Sequence, residues 1–177
     1  MNISELTEII NNLFSEKAWI IEVFVVVMLT GFLNWIQKRS YHRIISKLEQ
    51  TKTFWDDIFF DALIKPLSVL IWITGIAFAA NIAKEHTGSF IFSAVSPLYR
   101  AGVLVVICWF LIRFITRAER NIILAKRTSG EEIDQTTVDA ITKLLRISVI
   151  ITGVLVVLQS LGYSISGVLA FGGVGGI

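Results

Sequence analysis

The sequence predicts an all-α membrane protein with four transmembrane helices and the start of a fifth. Of its 177 residues, 54% are hydrophobic and 17% are charged, whereas about a quarter of the residues of a soluble domain are charged. The mean hydropathy is +0.71, and the apolar residues fall in long blocks. A helix needs about 20 apolar residues to cross the hydrocarbon core of a bilayer, so these blocks indicate membrane spans rather than one large soluble core.

Four blocks are long enough to cross the membrane: residues 18–36, 66–83, 97–115 and 144–161. Trp19 and Trp35 lie near the ends of the first block, and tryptophan favours the membrane–water interface. Pro66 lies at the start of the second, where it removes few helical hydrogen bonds. A fifth apolar stretch, residues 163–177, is too short to cross and is interpreted as the start of a further helix.

The distribution of basic residues predicts the orientation. Lysine and arginine are concentrated in and around segments 37–65 and 116–143, and are absent from loops 85–96 and 159–164. Because loops rich in lysine and arginine stay on the cytoplasmic side, both basic segments are predicted to be cytoplasmic. The N-terminus is therefore expected outside, in a multi-pass protein of the cell inner (plasma) membrane.

Two pieces outside the spans have helical patterns. Residues 1–17 carry apolar side chains at spacings of three and four, which indicates an amphipathic helix on the outer membrane surface; a frayed polar tail is the alternative. Ser129 and Glu132 have the spacing of a capping box, which predicts that a helix starts at Ser129 and runs toward the fourth span.

Three arginines share one helix face at the inner end of the third span. Arg113, Arg117 and Arg120 stand at positions i, i+4 and i+7, and such side chains attract anionic lipid by about 1 kcal/mol per charge. They also serve as an ordinary orientation signal, and the two interpretations are compatible. We expect these arginines to contact lipid headgroups on the cytoplasmic face.

The sequence argues against catalysis and nucleic-acid binding. The net charge of +2 is too small for nucleic-acid binding, and no nucleophile–base pair, phosphate loop or metal-ligand cluster is present. Cys108 lies mid-span and is interpreted as a small apolar filler. Asp56, Asp57 and Asp61 lack the convergent ligands of a metal site, so we expect a solvated or salt-bridged face. No enzyme activity, cofactor or metal is predicted.

The last apolar stretch is composed largely of residues with little side-chain bulk. They are Gly167, Ala170, Gly172, Gly173, Gly175 and Gly176. Gly172 and Gly176 form a GxxxG pair, which lets helices approach closely in a bilayer, although each glycine costs a helix about 1 kcal/mol relative to alanine. This composition favours identical helices crowded round one axis.

The run LGYSISGVLAFGGVGGI, after a span preceded by a basic segment, resembles the start of the pore helix in the small-conductance mechanosensitive channel (MscS-like) family. The WDD within KTFWDDIFFDALIKPL resembles the segment before an added outer helix in five-span members. The resemblance is closest over the pore-helix run and loosest over the first two spans. It implies that a glycine- and alanine-rich helix from each of seven subunits lines a pore, and that the preceding helices form a paddle facing lipid.

The resemblance also implies roles for single residues. Gly167, Ala170, Gly173 and Gly176 would lie on or near packed faces of the pore helix. Ile177 stands where the family places its first apolar gate residue, usually leucine, and a ring of such side chains closes a pore by dewetting. The family's second gate ring and vestibule domain do not follow, so we expect a truncated form or a gene fragment that ends within the pore helix.

The implied function is the tension-sensing membrane part of an ion channel subunit that opens under membrane tension for osmotic protection. Its expected partners are its own copies, as a homoheptamer, and membrane lipids that are anionic on the cytoplasmic face. The alternative is a non-conducting small membrane protein that scaffolds or regulates a partner through its glycine-rich helix.

Overall fold

The structure, a computed structural model, describes residues 3–48, 54–87, 90–128, 134–167 and 170. Its helices are α1 (Ile3–Leu48), α2 (Phe54–Thr87), α3 (Val95–Thr128) and α4 (Gln135–Ser160), with a 3-10 turn at Phe90–Ala94 before α3. Residues 165–167 are helical again after α4. The described residues contain no strand, and the predicted all-α fold is confirmed.

Each predicted span lies on a helix long and apolar enough to cross a membrane. These stretches are Ala18–Ser40, Ile58–Thr87, Phe92–Ala125 and Gln135–Ser160. The helices extend past the hydrocarbon core: α1 has 46 residues, or about 69 Å at about 1.5 Å per residue. Its backbone is continuous from Ile3 into the first span, so no break marks the end of the predicted surface segment 1–17.

The four helices form an open row in chain order. Helix α1 packs on α2, α2 on α3 and α3 on α4, and among the described residues no contact joins helices further apart in the chain. The row therefore has two broad faces that no other described helix covers. Large apolar side chains stand out from it, including Phe24 at 62%, Phe78 at 64% and Leu144 at 65% exposure. Such a surface suits hydrocarbon and is costly in water.

Helix α4 begins later than its capping pattern predicts. Its N-cap is Asp134, whose carboxylate accepts hydrogen bonds from the backbone amides of Thr136 at 3.0 Å and Thr137 at 3.3 Å. The predicted cap at Ser129 is therefore wrong for this helix, and Ser129 itself lies outside the described residues. An aspartate at this position satisfies amides that have no partner within the helix.

Helix α4 ends in a Schellman motif. The Tyr163 amide donates to the Leu158 carbonyl and the Gly162 amide to the Gln159 carbonyl, both at 3.0 Å. Gly162 has φ of +92°, a conformation that glycine adopts without the steric cost of a Cβ. This turn separates the fourth span from the helical residues that follow, so the chain changes direction where the glycine-rich stretch begins.

Candidate functional site

The glycine-rich tail is only partly described. Gly167 is helical and exposed, and a Cβ added to it would meet no described atom within 4 Å. Ala170 is also helical and exposed. The other predicted packing residues and the predicted gate residue lie outside the described residues: Gly172, Gly173, Gly175, Gly176 and Ile177. Their roles therefore stay predictions.

The arginine face of α3 meets a carboxylate on α2. Arg117 Nη1 contacts Asp61 Oδ2 directly, and Arg113 Nη2 lies 3.8 Å from Asp61 Oδ1. Arg113 Nε also donates to the Asp61 backbone carbonyl at 3.3 Å. Arg120 is exposed. The prediction of a salt-bridged aspartate is confirmed for Asp61, and the side chain of Asp57 is among those not described. Binding of lipid headgroups by the three arginines stays a prediction.

The N-terminal part of α2, which the charge pattern assigns to the cytoplasmic side, is the best-buried part of the row. Ile58 is 2% exposed and Ala62 is 0% exposed, and Pro66 is also fully buried. These residues recur every four positions, so they form one stripe along α2. Beside the stripe, the ring of Phe59 meets the rings of Phe110 and Phe114 edge to face, at centroid distances of 5.6 and 6.3 Å. Apolar packing and the arginine–aspartate contacts thus meet in the same region.

Pro66 lies within helix α2, in a turn that receives hydrogen bonds from both neighbouring helices. Proline has no amide hydrogen, so it removes one hydrogen bond from the helical ladder. Gln37 of α1 donates its side-chain amide to the Ile64 carbonyl at 2.9 Å, and Arg113 of α3 donates to the Asp61 carbonyl. The turn that the proline weakens is therefore held from both sides.

A polar seam joins α1 to α2 within the membrane. Gln37, Asn34 and Thr30 are spaced like a helix face, and the last two are buried at 9% and 6% exposure. Asn34 accepts a hydrogen bond from Ser68 of α2. Thr30 lies so close to Gly75 that a Cβ on that glycine would be 2.1 Å from the threonine oxygen. Small and polar residues at such contacts are typical of membrane helix pairs.

Sequence reasoning missed this seam, although its signal is present. Thr30, Asn34 and Gln37 stand at i, i+4 and i+7 in an otherwise apolar span. That spacing places polar side chains on one face of a helix. Because isolated polar groups are costly in hydrocarbon, such a face is expected to turn toward another helix.

Helices α3 and α4 meet at two places. A Cβ on Gly153 would be 2.5 Å from the sulfur of Cys108. Cys108, which was predicted to be a small apolar filler, therefore lies at a close contact between α3 and α4. Toward the N-terminus of α4, Arg146 Nη2 contacts Glu119 Oε2, with side-chain exposures of 29% and 15%. Apolar grooves of ≈ 280 and ≈ 380 Å³ lie beside the Cys108–Gly153 contact.

At the opposite end of the row, a ring contact joins α1 to α2. Trp19 of α1 stacks on His86 of α2 with a centroid distance of 6.2 Å. In the part of the chain that the structure describes, no group of three or more histidine, cysteine, aspartate or glutamate side chains is placed to hold a metal ion. The described residues thus form helix–helix contacts and exposed apolar surface, and no reaction centre is found among them.

Comparison with known proteins places these helices in a family. Residues 143–177 match the family model described as mechanosensitive ion channel, transmembrane helices 2/3. The chain is also 28% identical, over 158 residues, to the small-conductance mechanosensitive channel MscMJ of Methanocaldococcus jannaschii. The chain is thus similar to small-conductance mechanosensitive (MscS-like) channels over α4 and the tail, and to one such channel over most of its length. The resemblance seen in the glycine-rich run is thereby confirmed.

The matches cover most of this chain but less than half of each relative. The alignment with MscMJ covers 88% of the chain and 45% of the relative. A second relative, mechanosensitive ion channel protein 1, mitochondrial, of Arabidopsis thaliana, is 28% identical over 126 residues, which are 71% of this chain and 24% of the relative. The chain thus spans less than half the length of these relatives. No solved structure matches it, and nothing in the comparisons favours a non-conducting scaffold.

The family model covers one part of the row. The matched segment begins within α4 and runs through the described helical residues that follow it. Helices α1, α2 and α3 lie before this segment, and the alignment with MscMJ, over 158 residues, includes most of them.

Proposed function

We propose that this chain is the membrane-spanning, tension-sensing part of an ion channel subunit that opens under membrane tension and protects the cell against osmotic stress. The observation that carries the proposal is the match of α4 and the tail to the channel family model. The relatives, both named as mechanosensitive channels, support an ion-conducting role rather than an enzymatic one.

The open row of helices suits a tension sensor. Tension favours the state of larger in-plane area, by an energy equal to the tension multiplied by the area difference between states. A force shifts an equilibrium only through such a difference between the two states. A single layer of helices with two lipid-facing sides, held to one another mainly by small and polar contacts, presents a large surface on which the bilayer can act.

The pore itself is proposed from the tail. Copies of the glycine-rich helix pack around a central axis, as a homoheptamer, through Gly167, Ala170 and the four glycines that follow. Ile177 forms the first apolar constriction, which closes by dewetting. The chain lies in the cell inner membrane with its N-terminus outside, as its basic segments indicate.

The test is electrical and uses the full-length protein. Expressed in spheroplasts without other mechanosensitive channels, it should give single-channel currents when suction is applied to an excised patch. Ile177→Ser should lower the required suction, because a hydroxyl in the constriction favours water. Gly31→Ala serves as the control, since an added Cβ there meets nothing within 4 Å. Absence of suction-evoked current from the correctly inserted wild-type protein would reject the proposal.

Lipid contact at the arginine face is part of the same proposal. Arg120 is exposed and is the best placed of the three arginines for an anionic headgroup, because Arg113 and Arg117 already contact Asp61. Arg120→Gln should weaken binding of phosphatidylglycerol more than Arg113→Gln does. Native mass spectrometry with added phosphatidylglycerol measures the bound lipid, and an equal loss of bound lipid from both variants would contradict the assignment.

A further inference from the structure

Ion pairs between helices lie at one end of the row. Among the described residues, Asp61 joins α2 to α3 through Arg113 and Arg117, and Glu119 joins α3 to α4 through Arg146. All of these lie near the helix ends that the charge pattern assigns to the cytoplasm. The Asp61 contacts fasten the hairpin of α1 and α2 to α3, ahead of the segment that the family model matches.

The contacts at Asp61 fix more than one degree of freedom. Its carboxylate faces two guanidinium groups, while Arg113 also donates to the Asp61 backbone carbonyl. The Arg113 side chain therefore contacts both the carboxylate and the backbone of Asp61. Arginine is suited to this because its donors form a rigid planar fork. Rotation or sliding of α2 along α3 would break several contacts together.

The surroundings reinforce the same joint. Phe59 packs edge to face on Phe110 and Phe114, and Ile58 and Ala62 are almost completely buried. On the other side of α2, the polar seam that begins at Gln37 fastens α1. The three helices are thus connected through one well-packed region at the cytoplasmic end of α2.

We propose that Asp61 acts as a positioning residue that locks the outer hairpin onto α3, so that α1, α2 and α3 move as one plate. The lipid-facing surface of the hairpin then moves together with that of α3, so that the bilayer acts on a larger area. The consequence for gating rests on the proposed channel function, whereas the plate itself is a property of the three helices. Without the Asp61 contacts, α3 moves without the hairpin and a larger tension is needed for the same work.

The plate is tested by a distance measurement that does not depend on conduction. Spin labels are attached at Phe24→Cys on α1 and Leu98→Cys on α3, two exposed positions on helices that do not contact each other among the described residues, in a Cys108→Ala background. Labelled copies of the full-length protein are diluted into unlabelled copies so that each assembly contains one. Double electron–electron resonance in nanodiscs should give one narrow distance distribution for the wild type, and adding lysolipid to mimic tension should leave it unshifted. Asp61→Asn should give a broader distribution.

Two further variants keep the result specific. The exchange Asp61→Arg with Arg117→Asp should restore the narrow distribution, because it re-forms the pair with the charges reversed. Asp139→Asn is the matched control, since Asp139 pairs within α4 with Lys143 at 2.7 Å and should leave the distribution unchanged. A distribution for Asp61→Asn as narrow as the wild type, or no recovery in a folded exchange variant, would overturn the plate.

The link to gating is read separately in patches. Asp61→Asn should raise the suction for half-maximal opening, and the charge exchange should return it toward the wild-type value. If the distances behave as expected but no wild-type current exists, the proposed function fails and the plate stands. If currents exist and Asp61→Asn leaves the suction unchanged, the coupling of the plate to gating is rejected.

Discussion

Adding a single methyl group at Gly75 should separate α1 from α2. A Cβ built at this position lies 2.1 Å from Thr30 Oγ1, 2.4 Å from Cγ2 and 2.7 Å from Cβ. Carbon atoms pack best at about 3.5–4.0 Å, and the Thr30 Cβ cannot rotate away because it is fixed to the backbone. The helices must therefore move apart by about 1 Å, at a cost of about 1–3 kcal/mol for an overpacked contact.

Helix propensity does not offset this cost, because α2 stays helical in the membrane whether or not α1 is packed against it. Gly75→Ala should therefore lower the free energy of separating α1 from α2 by about 1–3 kcal/mol. Gly31 is the matched control on the facing helix: its added Cβ meets nothing within 4 Å, so Gly31→Ala should leave that free energy unchanged.

Steric trapping measures the quantity directly, because binding of streptavidin to biotin on each helix is coupled to their separation. In a Thr30→Gly background, which removes all three clashing atoms, Gly75→Ala should cost nothing further. A double-mutant cycle therefore isolates the contact. If Gly75→Ala proves as stable as Gly31→Ala, or if its cost persists without the threonine, the close approach of these helices is wrong.

Three further outcomes follow from the contacts of α4. Gly153→Ala should destabilise the α3–α4 pair less than Gly75→Ala destabilises α1–α2, since only the Cys108 sulfur approaches closely, and thermal unfolding in detergent should show Cys108→Ala removing the effect. Arg146→Gln should cost up to about 3 kcal/mol, the low end for breaking a buried ion pair, because Arg146 is 29% exposed; adding Glu119→Gln should recover part of it, and an additive loss would contradict the pairing. Hydrogen bonds at the cap of α4, chiefly from a threonine hydroxyl, lower the pKa of Asp134 below its ordinary value of 3.8; the cap therefore stabilises α4 above that pH and is lost as pH falls through the lowered pKa. After correction for the intrinsic pH dependence of exchange, the protection factors of the first-turn amides should fall on acidification in the wild type and show no such dependence in Asp134→Asn.

The spans were predictable because hydropathy over a window depends on composition alone. A stretch of about 20 apolar residues has few alternatives to crossing a bilayer, and all four predicted blocks lie on long helices. Helix ends were less predictable. Ser129 and Glu132 have a capping-box spacing, yet Asp134 caps α4, because several adjacent residues offer suitable side chains and the packing of the helix selects among them.

The polar seam was missed because the same average that reveals a span conceals its polar members. Thr30, Asn34 and Gln37 lower the hydropathy of the first span too little to interrupt it. Their function depends on which residues of α2 face them, and Ser68 is 34 positions from Asn34. A hydrogen bond between residues so far apart is set by the packing of the helices, so the spacing on α1 indicates a buried polar face but not its partner on α2.

The arginine face shows how a distant partner changes the interpretation of a correct pattern. Arg113, Arg117 and Arg120 do share one side of α3, as their spacing predicts. Asp61, 52 and 56 positions away from the first two, neutralises part of their charge and directs two of them toward α2. A face that was interpreted as attracting lipid with three charges thus divides into a helix joint and one exposed cation. The same residues therefore connect the hairpin of α1 and α2 to α3 and leave Arg120 exposed, which is why the proposed headgroup contact is assigned to Arg120.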